Sequence, residues 1–154
     1  MINSEKLPNT LTGIAGEYFV AAELSRRGFM ASITLRNNDS VDIHASKLSN
    51  NKIFSIQVKT NQSGNRDWIL SKKAEKKFSE NFFYIFVSLK GETERPEFFI
   101  VPSIKVAEYV TSNHANWLAV PGKKGQVHND SLVRKFSDRK CEYLEKWGLL
   151  SWKA

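Results

Sequence analysis

The sequence has little cysteine and no long apolar run, and each absence excludes a class of protein. Cys141 is the single cysteine among 154 residues, so no internal disulfide can form, and no Cys or His stands near it at zinc-finger spacing. The longest apolar runs, such as residues 82–89, are far too short to cross a bilayer. No signal-peptide pattern opens the chain, so we expect a reducing, cytoplasmic location.

The chain also lacks a Walker loop, a dinucleotide fingerprint and a nucleophile elbow. What it has is an ordinary globular composition, with 41% hydrophobic and 12% aromatic residues, and a length that fits a single domain over residues 1–154. Lys and Arg outnumber Asp and Glu by 23 to 16, which gives a net charge of +7. This excess would attract a polyanion such as a nucleic acid, although a merely basic soluble protein has the same charge.

Hydrophobic periodicity and turn residues predict an alternation of helices and strands. After a loose leader over residues 1–9, helices are expected over residues 10–28, 71–80, 102–113 and 139–147. Strands are expected over residues 30–35, 40–45, 53–60, 82–89 and 97–101, and a loop over residues 116–130. This order predicts an α/β fold with a mixed central sheet flanked by helices. The core would cover about residues 10–101, followed by a C-terminal loop and helix extension over residues 102–154.

Two of these strands place polar side chains on one face. Alternation puts Asp42 and His44 opposite the apolar Ile43 and Ala45, and it puts Gln57 and Lys59 opposite the apolar residues of the next strand. If the apolar faces of the two strands pack together, then Asp42, Gln57 and Lys59 converge on one polar surface. A carboxylate, an amide oxygen and an ammonium group at that separation suit a hard cation and a phosphate.

The first helix contributes a further acidic residue. Ile14, Ala21 and Leu24 form an apolar stripe at helical spacing, and Glu17 falls inside it. An inward-facing carboxylate is costly unless a cation or hydrogen-bond donors compensate it, which favours a metal site. The alternative is that Glu17 sits at the edge of the stripe and pairs with a lysine. Gly13 and Gly16 beside it would let the helix approach the sheet closely.

Asp42, the Gln57-Val58-Lys59 strand and a preceding helix with Gly16-Glu17 together resemble the PD-(D/E)XK nuclease superfamily. The order of elements over residues 10–89 is similar to the αβββαβ core of that superfamily, about half of the chain. The set is most like its Holliday-junction-resolvase and restriction-endonuclease branches. The resemblance implies a restriction-endonuclease-like fold and a metal-dependent endonuclease that hydrolyses DNA phosphodiester bonds.

Carried over residue by residue, the resemblance makes Asp42 the principal Mg²⁺ ligand, with Glu17 as an auxiliary ligand and Gln57 in the second acidic position. Lys59 would assist the attacking water and stabilise charge in the transition state. Mn²⁺ may replace Mg²⁺ as the metal in such sites. The implied partner is DNA, and because many such nucleases dimerise, a homodimer is a further expectation; no membrane or organic cofactor is expected.

The motif departs from the superfamily pattern at two positions. Val41 stands where proline is usual, which is a common variation. Gln57 replaces an Asp or Glu, so the site has one negative charge fewer, although an amide oxygen can still coordinate a hard cation. The alternative function is therefore a catalytically inactive DNA-binding module, or a protein-interaction module, on the same fold.

Two basic segments lie outside the motif. Lys72, Lys73, Lys76 and Lys77 either follow phosphates or form a solvated face with Glu75 and Glu80 nearby. The segment between Trp117 and Phe136 is basic and flanked by aromatic residues, as in loops that contact a nucleic-acid backbone. Its candidate nucleic-acid-binding residues are Lys123, Lys124, His128, Arg134 and Lys135. The alternative is a surface loop anchored by its aromatic residues. Trp147 and Trp152 are expected to pack or to form an interface.

Overall fold

The computed structural model describes residues 5–35 and 41–151. Its helices and strands are, in chain order, α1 (Asn9–Ser25), β1 (Phe29–Ile33), β2 (Ile43–Lys47), β3 (Ile53–Asn61), β4 (Asp67–Ser71), β5 (Phe82–Ser88), β6 (Glu97–Pro102), α2 (Ser103–Ala119) and β7 (Val133–Ser137). Short 3₁₀ turns cover Lys72–Glu75 and Trp147–Leu149. Within the described ranges, no helix is both long and apolar enough to span a membrane.

Five strands form the central sheet in the order β1-β2-β3-β5-β6. β3 and β5 are parallel, whereas the other neighbouring pairs are antiparallel. Ile43 lies opposite Ile56 in the β2–β3 pair, and Lys59 lies beside Phe86 in the β3–β5 pair. The predicted mixed sheet flanked by helices is confirmed.

Helix α1 covers one face of this sheet. The alternating side chains of β2 and β3 turn Ile43, Ile56 and Val58 toward it, where they meet Val20 and Leu24 in a continuous apolar core. Gly16 marks the closest approach, because a Cβ at this position would lie 1.7 Å from the hydroxyl oxygen of Thr60 on β3. A Cβ at Gly13 would meet nothing within 4 Å. The expected close approach of helix to sheet therefore depends on Gly16 rather than on Gly13.

A second core fills the opposite face of the sheet. β5 is buried along its whole length, and its Phe86 stacks on Phe136 of β7 with 4.5 Å between the ring centroids. Trp68 of β4 packs against Phe86 and donates a hydrogen bond from its indole nitrogen to the Val87 carbonyl at 2.9 Å. β4 and β7 form a separate two-stranded antiparallel sheet, and α2 packs against it. The central sheet is thus covered on both faces.

The helix predicted over residues 71–80 is wrong. The chain forms strand β4 up to Ser71 and then a single 3₁₀ turn in which only Ala74 is buried. Trp68 and Leu70 alternate with exposed or half-buried neighbours along β4 and pack into the second core. Pairing with β7 therefore prevailed over the helical composition of the lysine-rich segment.

The predicted C-terminal elements also need correction. α2 continues to Ala119, into the residues expected to form a loop, and β7 was not predicted. The helix over residues 139–147 is absent because Cys141 and Glu145 adopt positive φ angles of 58° and 56°, which interrupt any helix. Asp138 instead accepts hydrogen bonds from the backbone N–H groups of Glu142 and Tyr143. Ser40, at the start of the strand predicted over residues 40–45, and Trp152 lie outside the described residues.

Candidate active site

Asp42 stands where β2 separates from β3. Its backbone N–H donates to the Ile56 carbonyl at 2.8 Å, while its own carbonyl accepts from the Thr34 N–H on the other side at 2.9 Å. The Asp42 carboxylate oxygen Oδ2 then accepts from the Val58 N–H at 2.7 Å. The side chain thus takes over a hydrogen bond that a strand neighbour would otherwise provide, and this bond fixes the carboxylate beside β3.

Burial raises the pKa of the Asp42 carboxyl group above its ordinary value. The hydrogen bond from Val58 and the positive charges of Lys59 and Lys77 act in the opposite direction without cancelling the effect of burial. Lys59 is therefore close enough to Asp42 to act on its charge. A carboxylate with this combination of burial and cationic neighbours is typical of functional sites.

Glu17 lines one cleft together with Asp42. Asn9, Thr10 and Gly13 of α1 and Thr34 after β1 complete much of its wall, and its volume is about 300 Å³. Glu17 and Asp42 come from different elements, separated by 25 positions in sequence, yet both border this space. We name this space the carboxylate cleft.

Gln57 and Lys59 line a second cleft, which we name the lysine cleft. Its volume is about 270 Å³, and its lining consists of Gln57, Lys59, Ile69, Leu70, Ser71, Lys73, Ala74, Lys77 and Tyr84. Within residues 5–35 and 41–151, the side chains of Gln57 and Lys59 make no hydrogen bond or ion pair. Both polar groups are thus available to a ligand. Asp42 lines the first cleft and not the second, and the charge of Lys59, which lines the second, acts on its carboxyl group.

The donor set suits a hard divalent cation. Asp42 and Glu17 offer carboxylate oxygens to the carboxylate cleft, and Mg²⁺ is commonly held by one or two carboxylates with water in its other positions. No group of three His, Cys, Asp or Glu side chains that could hold a metal occurs in the described part of the chain. This finding agrees with the replacement of the second acidic residue by Gln57. A softer metal that requires Cys or several His ligands does not fit.

Lys73 and Lys77 join the site although the sequence reasoning did not assign them to it. Both line the lysine cleft, because the 3₁₀ turn that follows β4 carries them to the polar face of β3. The one sequence feature that could have indicated their shared position is their spacing of four residues within the lysine cluster. The expected neutralising partner, Glu75, faces Arg134 instead, with 2.6 Å between its Oε1 and the Arg134 Nε.

The basic C-terminal residues differ in burial and in their partners. Arg134 is only 3% exposed and its guanidinium also donates to the carbonyls of Ser131 and Val133, so it has a structural position. Lys135 pairs with Asp67 at 3.4 Å, and His128 stacks on Trp117 with 4.0 Å between centroids. Lys123 and Lys124 are exposed. Their contact with nucleic acid stays a prediction, whereas burial of Arg134 removes it from a solvent-facing basic loop.

Two polar atoms near the site are buried without a hydrogen-bond partner among the described residues. They are Nδ1 of His44, which shares the strand face of Asp42, and Oγ1 of Thr60, which faces Gly16. The Thr60 hydroxyl points at the helix rather than into either cleft. It is therefore a packing feature of the α1–β3 contact.

Comparison with solved structures identifies the fold. The chain is similar to a bacterial homing endonuclease, I-Ssp6803I, with a TM-score of 0.56 and 14% sequence identity over 92% of this chain and 91% of that one. A second similar structure is Hjc, a Holliday junction resolvase from Archaeoglobus fulgidus, with a TM-score of 0.46 and 14% identity over 82% and 84% of the two chains. The fold is restriction-endonuclease-like, as the resemblance implied. No model of a known protein family matches the sequence, and no curated protein does.

Proposed function

We propose that this protein is a divalent-metal-dependent nuclease that cleaves DNA phosphodiester bonds at the junction of the carboxylate and lysine clefts. The observation that carries the proposal is the position of Asp42. Its carboxylate lines one cleft with Glu17 and lies within electrostatic reach of Lys59, which lines the other. Acidic residues for a cation and a cation for a phosphate thus border one point of the sheet.

Each side chain has a distinct role in this proposal. Asp42 and Glu17 would hold Mg²⁺ or Mn²⁺, with the Gln57 amide oxygen as a neutral donor beside them. The bound metal would polarise the scissile phosphate and lower the pKa of a water molecule. Lys59 would orient the attacking water and stabilise the negative charge that develops on the phosphate oxygens. The Val58 N–H holds Asp42 in position for this task.

The similarity to a homing endonuclease supports DNA as the substrate, and the net charge of +7 agrees with a polyanionic partner. A homodimer, which would present two such sites to a duplex, stays a prediction from the family resemblance. A second candidate function is DNA binding without cleavage. Gln57 favours it, because the missing carboxylate weakens the hold on a cation.

Plasmid and branched DNA cleavage assays test the proposal. We expect cleavage in Mg²⁺ or Mn²⁺, none in chelator, and a fall of about two to three orders of magnitude for Lys59→Ala. Lys76→Ala is the matched control, since it removes the same charge from an exposed lysine that does not line the lysine cleft. Cleavage that persists in chelator or in Lys59→Ala would contradict the proposed mechanism.

Gln57→Glu separates the two candidate functions. A glutamate at this position adds a third acidic ligand, so we expect tighter metal binding and faster cleavage than in the wild type. Gln57→Ala removes the donor and should cleave more slowly. DNA binding without cleavage in the wild type, followed by cleavage in Gln57→Glu, would identify the natural chain as the binding module.

A further inference from the structure

We infer that the lysine cleft is a phosphate-binding groove that holds the DNA backbone beside the scissile bond without a bound metal. The inference rests on the proposed function, because it says how the same site takes hold of its substrate. Its ligand is a nucleic-acid backbone phosphate, and the residues assigned to it are Lys73 and Lys77, with Lys59 shared between the groove and the cleavage site. The sequence left open whether the lysines of this segment follow phosphates or form a solvated face.

The geometry brings these three lysines together from two distant segments. Lys59 comes from β3, while Lys73 and Lys77 come from the turn after β4, and all three line one cleft. Lys77 also acts electrostatically on the charge of Asp42, which lines the carboxylate cleft. Its amine lies 5.3 Å from the centroid of the Phe82 ring, a contact that supports the side chain near the wall of the cleft.

The walls of the groove carry no acidic residue. No Asp or Glu is among the residues that line the lysine cleft, and within the described part of the chain Lys59 and Lys73 make no ion pair. Glu75 lies in the same turn but points to the buried Arg134. Glu75 is the one carboxylate of the 3₁₀ turn. Because it pairs with Arg134, it does not neutralise the lysines of the groove.

The remaining walls suit the sugar-phosphate backbone. Burial raises the pKa of Tyr84 to about 12, so its hydroxyl keeps its proton at neutral pH and is a hydrogen-bond donor to an anion. Ser71 adds a hydroxyl, and Ile69 presents an apolar surface that is 63% exposed. Gln57 completes the set, because its side-chain amide can donate a hydrogen bond to a phosphate oxygen.

Metal-free DNA binding measured against salt concentration tests this groove. The probe is a fluorescently labelled duplex in EDTA, and the readout is the slope of log affinity against log salt. Each lysine that contacts a phosphate contributes about one unit to that slope. We expect Lys73→Ala and Lys77→Ala each to weaken binding and to reduce the slope by about one. Lys76→Ala, on the same turn but outside the cleft, should leave the slope unchanged.

The same variants separate this inference from the proposed function. Lys73→Ala should keep the thermal stabilisation that Mn²⁺ gives the wild type, because Asp42 and Glu17 are intact. Lysine-dependent binding in a protein that never cleaves DNA would uphold the groove and defeat the nuclease proposal. Slopes for Lys73→Ala and Lys77→Ala equal to that of Lys76→Ala, in variants with wild-type melting temperatures, would overturn the groove. If Lys77→Ala fails to fold because the Phe82 contact is lost, Lys73→Ala alone decides.

Discussion

Burial of Asp42 has a cost to the fold. Its carboxyl group is half-buried and accepts a backbone hydrogen bond from Val58, while burial raises its pKa. A folded-state pKa above the unfolded value means that the folded chain binds the proton more tightly. The free energy of unfolding therefore falls as pH rises through the interval between the unfolded and the folded pKa of Asp42, and ionised Asp42 is destabilising at neutral pH. A bound cation would remove that cost.

Asp42→Asn should accordingly stabilise the metal-free protein. The asparagine keeps an oxygen for the Val58 N–H but carries no charge to desolvate. Urea unfolding at pH 7 in EDTA should give a higher free energy of unfolding for the variant. Mn²⁺ at ten times its Kd should raise the free energy of unfolding of the wild type by about 1.4 kcal/mol and leave that of the variant unchanged.

Asp138→Asn provides the comparison, since Asp138 is also buried and accepts two backbone hydrogen bonds but lies outside both clefts. We expect this change to destabilise the protein and to leave the response to Mn²⁺ intact. Equal stabilisation of the wild type and Asp42→Asn by Mn²⁺ would place the cation elsewhere.

At this scale strand alternation predicted that Gln57 and Lys59 share a face of β3, and both line the lysine cleft. Asp42 precedes β2 and lines the carboxylate cleft, so its convergence with them on one surface stays a prediction. Lys73 and Lys77 escaped prediction because their position depends on how the turn after β4 packs against β3. That packing follows from tertiary contacts with β7 and α2, which local periodicity does not contain.

At the scale of elements, the contact between α1 and β3 depends on one missing side chain. Gly16→Ala would place its Cβ 1.7 Å from the Thr60 hydroxyl oxygen, so helix and strand must move apart. We expect a net loss of about 1–3 kcal/mol in the free energy of unfolding, as for other overpacked cores. Denaturant unfolding measures this loss, and DNA cleavage should fall with it because Glu17 follows Gly16 directly.

Gly13→Ala is the matched control in the same helix. Its Cβ would meet nothing within 4 Å, so replacing glycine should stabilise α1 by about 0.5–1 kcal/mol. Thr60→Ala should recover part of the stability lost in Gly16→Ala, since it removes the nearest atom. If the Gly16→Ala protein were as stable as the Gly13→Ala protein, the contact between α1 and β3 would not depend on the absence of a side chain at position 16.

The end of α1 is joined to two later segments by a carboxylate–arginine network. Glu23 is only 7% exposed and pairs with Arg27 and, at 3.1 Å, with Arg95, which also pairs with Glu145. Burial acts to raise the pKa of Glu23, but the hydrogen bonds and charges of Arg27 and Arg95 outweigh it and hold the pKa below its ordinary value. The network links α1 to the β5–β6 connection and to the C-terminal segment.

Glu23→Gln should therefore make the free energy of unfolding less dependent on pH in the acidic range. A lowered folded-state pKa gives stability that is present above the unfolded pKa of about 4.5 and is lost as pH falls through the folded value. We expect the wild type to exceed Glu23→Gln in free energy of unfolding at pH 7 and the difference to shrink below pH 4. Urea unfolding at both pH values measures it, and a difference independent of pH would assign the effect to packing.

Elements were predictable where burial and periodicity agree. The predicted segments for α1, β3, β5 and β6 match the structure to within a few residues because each is set by its own apolar pattern. The prediction for residues 71–80 was wrong because the lysines and alanine of that segment favour a helix, whereas Trp68 and Leu70 find apolar partners only as a strand beside β7. A strand whose paired residues lie 62 to 70 positions away leaves little trace of that pairing in its own composition.

At the scale of the whole molecule, the C-terminal segment returns to the first core. Trp147 and Leu150 are buried with residues of α1, β5 and β6, and the Trp147 ring lies 5.6 Å from Phe98 and 4.3 Å from the Arg27 guanidinium. The expected packing role of Trp147 is thus observed. Residues at both ends of the described chain contribute to one apolar cluster.

Trp147→Ala should lower the free energy of unfolding by about 3–5 kcal/mol, as for other large aromatic residues in cores. The free energy of unfolding of a folded domain is only about 5–15 kcal/mol. The melting temperature should therefore fall strongly, while DNA cleavage at low temperature persists. Leu149→Ala is the control, since Leu149 is 39% exposed and its loss should cost far less. A loss of cleavage in a Trp147→Ala protein that remains fully folded would point to a direct role for this residue.

The pairing of β4 with β7 has a consequence for the order in which the site is made. β4 supplies one wall of the lysine cleft, yet its partner strand is Val133–Ser137, near the end of the chain. During synthesis, Asp42, Gln57 and Lys59 leave the ribosome long before β7 exists to hold that wall in place. A nascent chain thus carries every acidic and basic residue assigned to cleavage while its groove is still unformed. The lysine cleft should therefore form only after residues 133–137 have been made.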